Sequence, residues 1–134
     1  MNRAAAAAVE IVDEFSFLDD WEDRYQLLID LGRQLPPLPD IYHKDEYQLG
    51  GCQSVVHFAA EREGDEIRFH AGSDAAIVQG LIALLIRVYS QRTPDEILST
   101  DAQFLAEIGL DSHLSATRKT GLASMMSAIK ASAG

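Results

Sequence analysis

The most constraining stretch of this chain is residues 55–91, where a two-residue alternation is followed by a helical one. Residues 55–71 alternate around Glu63-Gly64, with Val56, Phe58 and Ala60 on one arm and Ile67, Phe69 and Ala71 on the other. Side chains switch faces at each step along a strand, so this spacing predicts a half-buried antiparallel hairpin. With Glu63-Gly64 as the turn, Phe58 faces Phe69, Val56 faces Ala71 and Ala60 faces Ile67. The polar face then pairs His57 with His70 and Glu61 with Glu66, two like charges that count against this register. Gly72-Ser73-Asp74 ends the second strand, and Asp74 is placed to cap a long helix over 75–91. Ile77, Leu81, Leu84, Leu85 and Val88 make its apolar face. Gly80 lies inside that helix, where it lowers helix stability and so points to close packing against another backbone.

Helical patterns flank this block on both sides. Ala4 to Phe15 is rich in alanine, the best helix former, with Val9, Ile11 and Val12 as an apolar side. Asp20 reads as the N-cap of a second helix whose stripe is Trp21, Tyr25, Leu28 and Ile29. That helix must stop before Pro36-Pro37, and an extended connection follows to Asp40. Thr93-Pro94-Asp95-Glu96 is a capping box with proline at the first helical position. A helix over 102–108 ends before Gly109, and the last helix starts near Ser115 and buries Leu122, Met125, Met126 and Ile129. Central strands with helices on either side define an α+β fold, one small antiparallel sheet covered by helices, in a single domain over 1–134.

Composition narrows the function classes. The formal net charge of −10 argues against non-specific binding to nucleic acid or to an anionic membrane. The charge is polarised: Asp13, Glu14, Asp19, Asp20, Glu22 and Asp23 crowd the early part, while Arg118, Lys119 and Lys130 follow the last acid, Asp111. The most apolar run, residues 80–86, is too short for a membrane span. The alanines after Met1-Asn2-Arg3 are too weakly apolar for a signal peptide and are cut off by Glu10. With one unpaired cysteine, the expected compartment is the cytoplasm.

That cysteine, Cys52, sits in Gly50-Gly51-Cys52-Gln53-Ser54 at the mouth of the first strand. Intracellular lone cysteines are most often inert fillers, but glycines before and polar residues after place this one in a loop. A lone thiol can attack sulfur or capture an electrophile. A cysteine–histidine hydrolase would need His57 or His70 folded back toward the loop. A metal site would need the His57/His70 pair with Cys52 as third ligand; solvated strand histidines are the better reading, and no metal is expected. Gly50-Gly51 leads into a strand without a following Lys-Ser/Thr, so it is not a phosphate loop.

Gly51-Cys52-Gln53-Ser54, the block from Ser73-Asp74-Ala75-Ala76 to Gly80-Leu81-Ile82-Ala83-Leu84, and His113-Leu114 leading to Arg118 and Gly121-Leu122 together resemble the SufE family. Trp21-Glu22 and Leu31-Gly32-Arg33-Gln34-Leu35-Pro36 fit the same pattern, so the resemblance runs from about Leu18 to the end. It implies a sulfur acceptor of iron–sulfur cluster assembly with a three-stranded antiparallel sheet. The implied partner is a pyridoxal-phosphate-dependent cysteine desulfurase, and the sulfur passes on to a cluster scaffold. The family's sulfur-carrying thiol falls on Cys52, supported by Gly50, Gly51, Gln53 and Ser54. Its docking arginine falls on Arg118, and Asp74 is either a helix cap or part of the docking rim. The chain is then a carrier and activator rather than an enzyme, with no cofactor of its own, since the pyridoxal phosphate belongs to the desulfurase. A homodimer is compatible with the sequence. Alternatives are a non-covalent activator of the desulfurase and a sulfur donor to another thiolation pathway. The chain departs from the family pattern at Tyr47, where many relatives have asparagine, and at His57, where a bulky apolar residue is common.

Overall fold

A computed structural model of the protein describes residues 1–50 and 54–134. Its elements run in the order α1 (Arg3–Ser16), α2 (Trp21–Gln34), β1 (Val56–Glu63), β2 (Glu66–Ser73), α3 (Ala76–Tyr89), α4 (Pro94–Ser99), α5 (Gln103–Glu107), α6 (Leu110–His113) and α7 (Ala116–Ala133). Two short 3-10 turns, Asp40–Tyr42 and Asp45–Tyr47, break up the connection between α2 and β1. The expected α+β architecture, with helices packed on a small antiparallel sheet, is present.

The sheet among the described residues has two strands, where three were expected. Both edges of the hairpin carry a single bridge in place of a third strand, Gln48 to His57 on one side and Ile67 to Arg92 on the other. The reasons are local. Before Gln48 the chain is coiled into the 3-10 turn at Asp45–Tyr47. After Arg92 it meets Pro94, which has no N–H to give a ladder and instead starts α4.

The register differs from the expected one by one step on each arm. Glu63 faces Glu66, Phe58 faces Ala71, Ala60 faces Phe69 and Glu61 faces Arg68. The two-residue turn is therefore Gly64-Asp65, with Gly64 at φ +64°, the first central position, where a II′ turn calls for glycine. The shift keeps every side chain on its face and removes the Glu61–Glu66 clash. Glu63 and Glu66 now lie opposite each other, and each has a cation: Arg68 at 3.1 Å and Arg3 at 2.8 Å. Ala60 is exposed rather than in the core, while Phe69 opposite it is buried. Ala59 is buried instead, on the face that Tyr42 covers by stacking on His70.

α3 is buried nearly all round, including Val78, Ile82 and Ala83 as well as the expected face. It lies between the hairpin and the α1–α2 layer. Gly80 does meet another backbone: a Cβ there would lie 2.3 Å from the Leu28 carbonyl oxygen, and one on Gly32 would lie 2.8 Å from the Gly80 nitrogen. α3 is shorter than expected at both ends. Its N-cap is Ala75, without a side-chain cap, so Asp74 does not cap it. Ser73 and Gln79 shape this start instead: Ala75 N–H donates to Ser73 Oγ (3.2 Å), and Ser73 N–H donates to Gln79 Oε1 (2.8 Å). At the other end the chain leaves the helix at Ser90, and Gln91 takes φ +60°.

Candidate functional site

A cavity of about 320 Å³ opens where β1 begins, between α3 and the first turns of α7. Val56, Val78, Leu81, Leu122 and Met125 supply apolar walls, with Gly121 between them. Ser54, Ser115, Thr117 and Arg118 supply the polar rim. Of the residues singled out from sequence, Ser54 and Arg118 are therefore brought together here. Gly51, Cys52 and Gln53 lie outside the described residues, but the chain on either side of them is placed. Ser54 lines the cavity, and the Gly50 carbonyl accepts a hydrogen bond from Ser124 Oγ on α7 at 2.6 Å. Asp74 is exposed and is not among the cavity's lining residues.

The charge of this site comes from how α7 starts. Ser115 is its N-cap, accepting from Arg118 N–H at 3.2 Å, and no acid occupies the first turn. Arg118 and Lys119 occupy that region instead, both exposed. The N-terminal end of a helix carries a partial positive charge, so cations there add to it rather than offset it. Among the described residues Arg118 makes no ion pair. In a chain of net charge −10, this rim is a local electropositive end that favours an anion or an acidic partner surface.

α2 sets where α7 begins. The Trp21 ring stacks on His113 with centroids 3.7 Å apart, and Tyr25 donates its hydroxyl to the His113 carbonyl. Gly109, at φ +85°, lies so close to Trp21 that a Cβ would come within 2.8 Å of the indole. Leu114 is buried immediately afterwards, and Ser115 then caps α7. Trp21 and His113, 92 residues apart in sequence, thus meet face to face.

His57 and His70 are not cross-strand partners; they face Gly72 and Ala59. Along β1 the side chain of His57 points away from the face on which Val56 lines the cavity. The histidines join a second cluster, in which Tyr42 stacks on His70 (4.8 Å), Tyr47 meets Tyr42 edge-on (5.1 Å) and His43 lies 5.3 Å from His57. His70 Nε2 is 3.1 Å from Glu61 Oε1. Desolvation, and then Glu61 and Tyr47, push the Tyr42 hydroxyl above its ordinary range. Tyr47 and His57 both lie in this cluster. Among the described residues no three His, Cys, Asp or Glu side chains gather as a metal site, and no histidine or acid lines the cavity.

Sequence reasoning missed Ser115, Thr117 and Ser124 as parts of the site. Ser115 carried a signal, since a serine three residues ahead of Arg118 at a helix start is a capping position. Ser124 carried none, because its bond depends on tertiary placement.

The profile of the SufE family, described as an Fe-S metabolism associated domain, matches residues 9–133. A SufE-like protein of Rhizobium meliloti is 40% identical over 129 residues, covering 92% of this chain and 92% of that protein. A SufE-like protein of Rhizobium etli is 40% identical over 130 residues, covering 93% and 88%. A hypothetical protein from Thermus thermophilus, known from its solution structure, superposes with a TM-score of 0.78 at 22% identity, over 95% of this chain and 93% of that one. It shares the fold. The chain belongs to the SufE family, whose domain is associated with iron–sulfur metabolism.

Proposed function

We propose that this protein accepts persulfide sulfur from a cysteine desulfurase on Cys52, stimulates that enzyme, and passes the sulfur to iron–sulfur cluster assembly in the cytoplasm. The observation that carries the reading is a single cysteine followed two residues later by Ser54, which lines an apolar-walled cavity with Arg118 and the N-terminus of α7 on its rim. The Cys52 thiolate attacks the outer sulfur of the desulfurase persulfide. The S–S bond breaks, the enzyme's cysteine leaves as thiolate, and Cys52 becomes the persulfide; no oxidant or reductant is consumed. A cationic rim favours the thiolate and the persulfide anion, and apolar walls keep water and soluble thiols from the loaded sulfur. The pyridoxal phosphate belongs to the desulfurase. The chain acts as carrier and activator, with Arg118 docking against an acidic surface of that enzyme.

Turnover of a cognate desulfurase tests this reading. Wild-type protein should accelerate sulfide or alanine release, and Cys52→Ala should abolish the acceleration. Full stimulation by Cys52→Ala would instead establish a non-covalent activator. A cysteine–histidine hydrolase is disfavoured by the cavity's described lining, which offers no general base.

A further inference from the structure

His57 does not stand opposite His70 on the hairpin, but it has another histidine beside it. His43 lies in the connection between α2 and β1, 14 residues before His57 in sequence. The two ring centroids are 5.3 Å apart, with the planes tilted by 54°. The bridge from Gln48 to His57 and the 3-10 turn at Asp45–Tyr47 fold this connection back against the strand. His43 is exposed and His57 half-buried, so the pair is open to water. The ring nitrogens of the other two histidines are engaged, His70 Nε2 with Glu61 and His113 Nδ1 with the Gly109 carbonyl. The rings of His43 and His57 have no such partner among the described residues.

Neutral imidazole suits zinc and other late first-row divalent ions. Two imidazoles on one zinc ion, each nitrogen about 2.0–2.1 Å from it, set their ring centroids about 5 Å apart. The observed spacing is that of such a chelate. Residues 40–46 around His43 carry Asp40, Asp45 and Glu46 against a single cation, Lys44, all of them exposed, which draws positive ions to this surface. We propose that His43 and His57 form a binding site for a late first-row divalent metal ion such as zinc, the two imidazoles chelating it and water filling the remaining positions. No third His, Cys, Asp or Glu side chain joins them among the described residues, so the site is an open, exchangeable one and not a closed structural centre. The proposal stands apart from the sulfur-transfer reading, and neither depends on the other.

Titration calorimetry of the full chain with zinc chloride tests it. His43→Ala and His57→Ala should each weaken zinc binding at least about tenfold, because the second imidazole of a chelate acts at a high effective concentration. Cys52→Ser should keep the site, which separates the histidine pair from capture of zinc by the thiol. His113→Ala, on α6, should keep it as well. Excess magnesium should not displace the zinc, since magnesium takes oxygen ligands; displacement would assign the ion to the surrounding acids and overturn the proposal. So would a wild-type protein that takes no zinc, binding that survives undiminished in either His43→Ala or His57→Ala, or binding lost in Cys52→Ser.

Discussion

At the α2–α3 crossing, Gly32 and Gly80 bring two backbones so close that a methyl group has no place at either position. At the cavity, α7 faces the hairpin and α3 across about 320 Å³ of space; Ser115 caps α7 by accepting from Arg118 N–H, and Ser124 holds the Gly50 carbonyl through one hydrogen bond. The first region is closed backbone to backbone at these two glycines. The second is open, with Arg118 added to the positive end of a helix. Close packing fixes the frame, because interiors transmit strain instead of absorbing it. The site lies where packing was left incomplete.

The largest effect is expected where the frame is tightest. Gly80→Ala should cost about 3 kcal/mol or more, since overpacking against a carbonyl cannot be relieved by a side-chain rotation. Leu122→Ala, at the half-buried cavity wall, should cost about 2 kcal/mol or less, at or below the low end for truncating a fully buried leucine. Urea denaturation of both variants gives the comparison. Equal costs would mean that the two regions are packed alike.

Acid should loosen the frame next. Arg3 bonds Glu96 at 2.6 Å and Glu66 at 2.8 Å, joining α1 to the capping box of α4 and to β2. The Arg3 guanidinium is the main cause, with backbone bonds from Thr93 and Arg3, that holds the Glu96 carboxyl down to about 2, from 4.5. A carboxyl with a lower folded value binds fewer protons folded than unfolded. Its contribution is therefore complete above about 4.5 and is lost as pH falls toward 2. Thermal melts across that window should show the decline, and Glu96→Gln should flatten its slope. An unchanged slope would remove Glu96 from the account.

The smallest effect on stability belongs to the site itself. Arg118→Ala should leave stability within about 0.5 kcal/mol of wild type, because it removes an exposed cation from the unfavourable end of a helix. Desulfurase binding should nevertheless weaken measurably by titration calorimetry, and an unchanged Kd would return Arg118 to an ordinary surface role.

Much of the frame was legible because it is written in local patterns. The Thr93–Glu96 capping box, the Asp20 cap, the glycine in α3 and the hairpin all depend on spacing within a few residues. The lack of a third strand among the described residues was not legible, since it depends on what the neighbouring chain does: a 3-10 turn at 45–47 and Pro94 at the other edge. The register was half legible: the like-charged Glu61–Glu66 pair counted against the expected one, and Gly64 at the first turn position sets the observed one. Asp74 misled because the side chains that shape the start of α3 are Ser73 and Gln79, one of them a full turn inside the helix. The cavity was half legible. Ser54 and Arg118 carried the resemblance, while its walls come from three elements that only the fold assembles.

Sulfur transfer to Cys52 is read by incubating the protein with a cognate desulfurase and cysteine and then recording its intact mass. The expected result is a gain of one sulfur atom that a reductant removes and that Cys52→Ser lacks. No gain from a desulfurase whose activity the protein stimulates, or a gain that persists in Cys52→Ser, would contradict it.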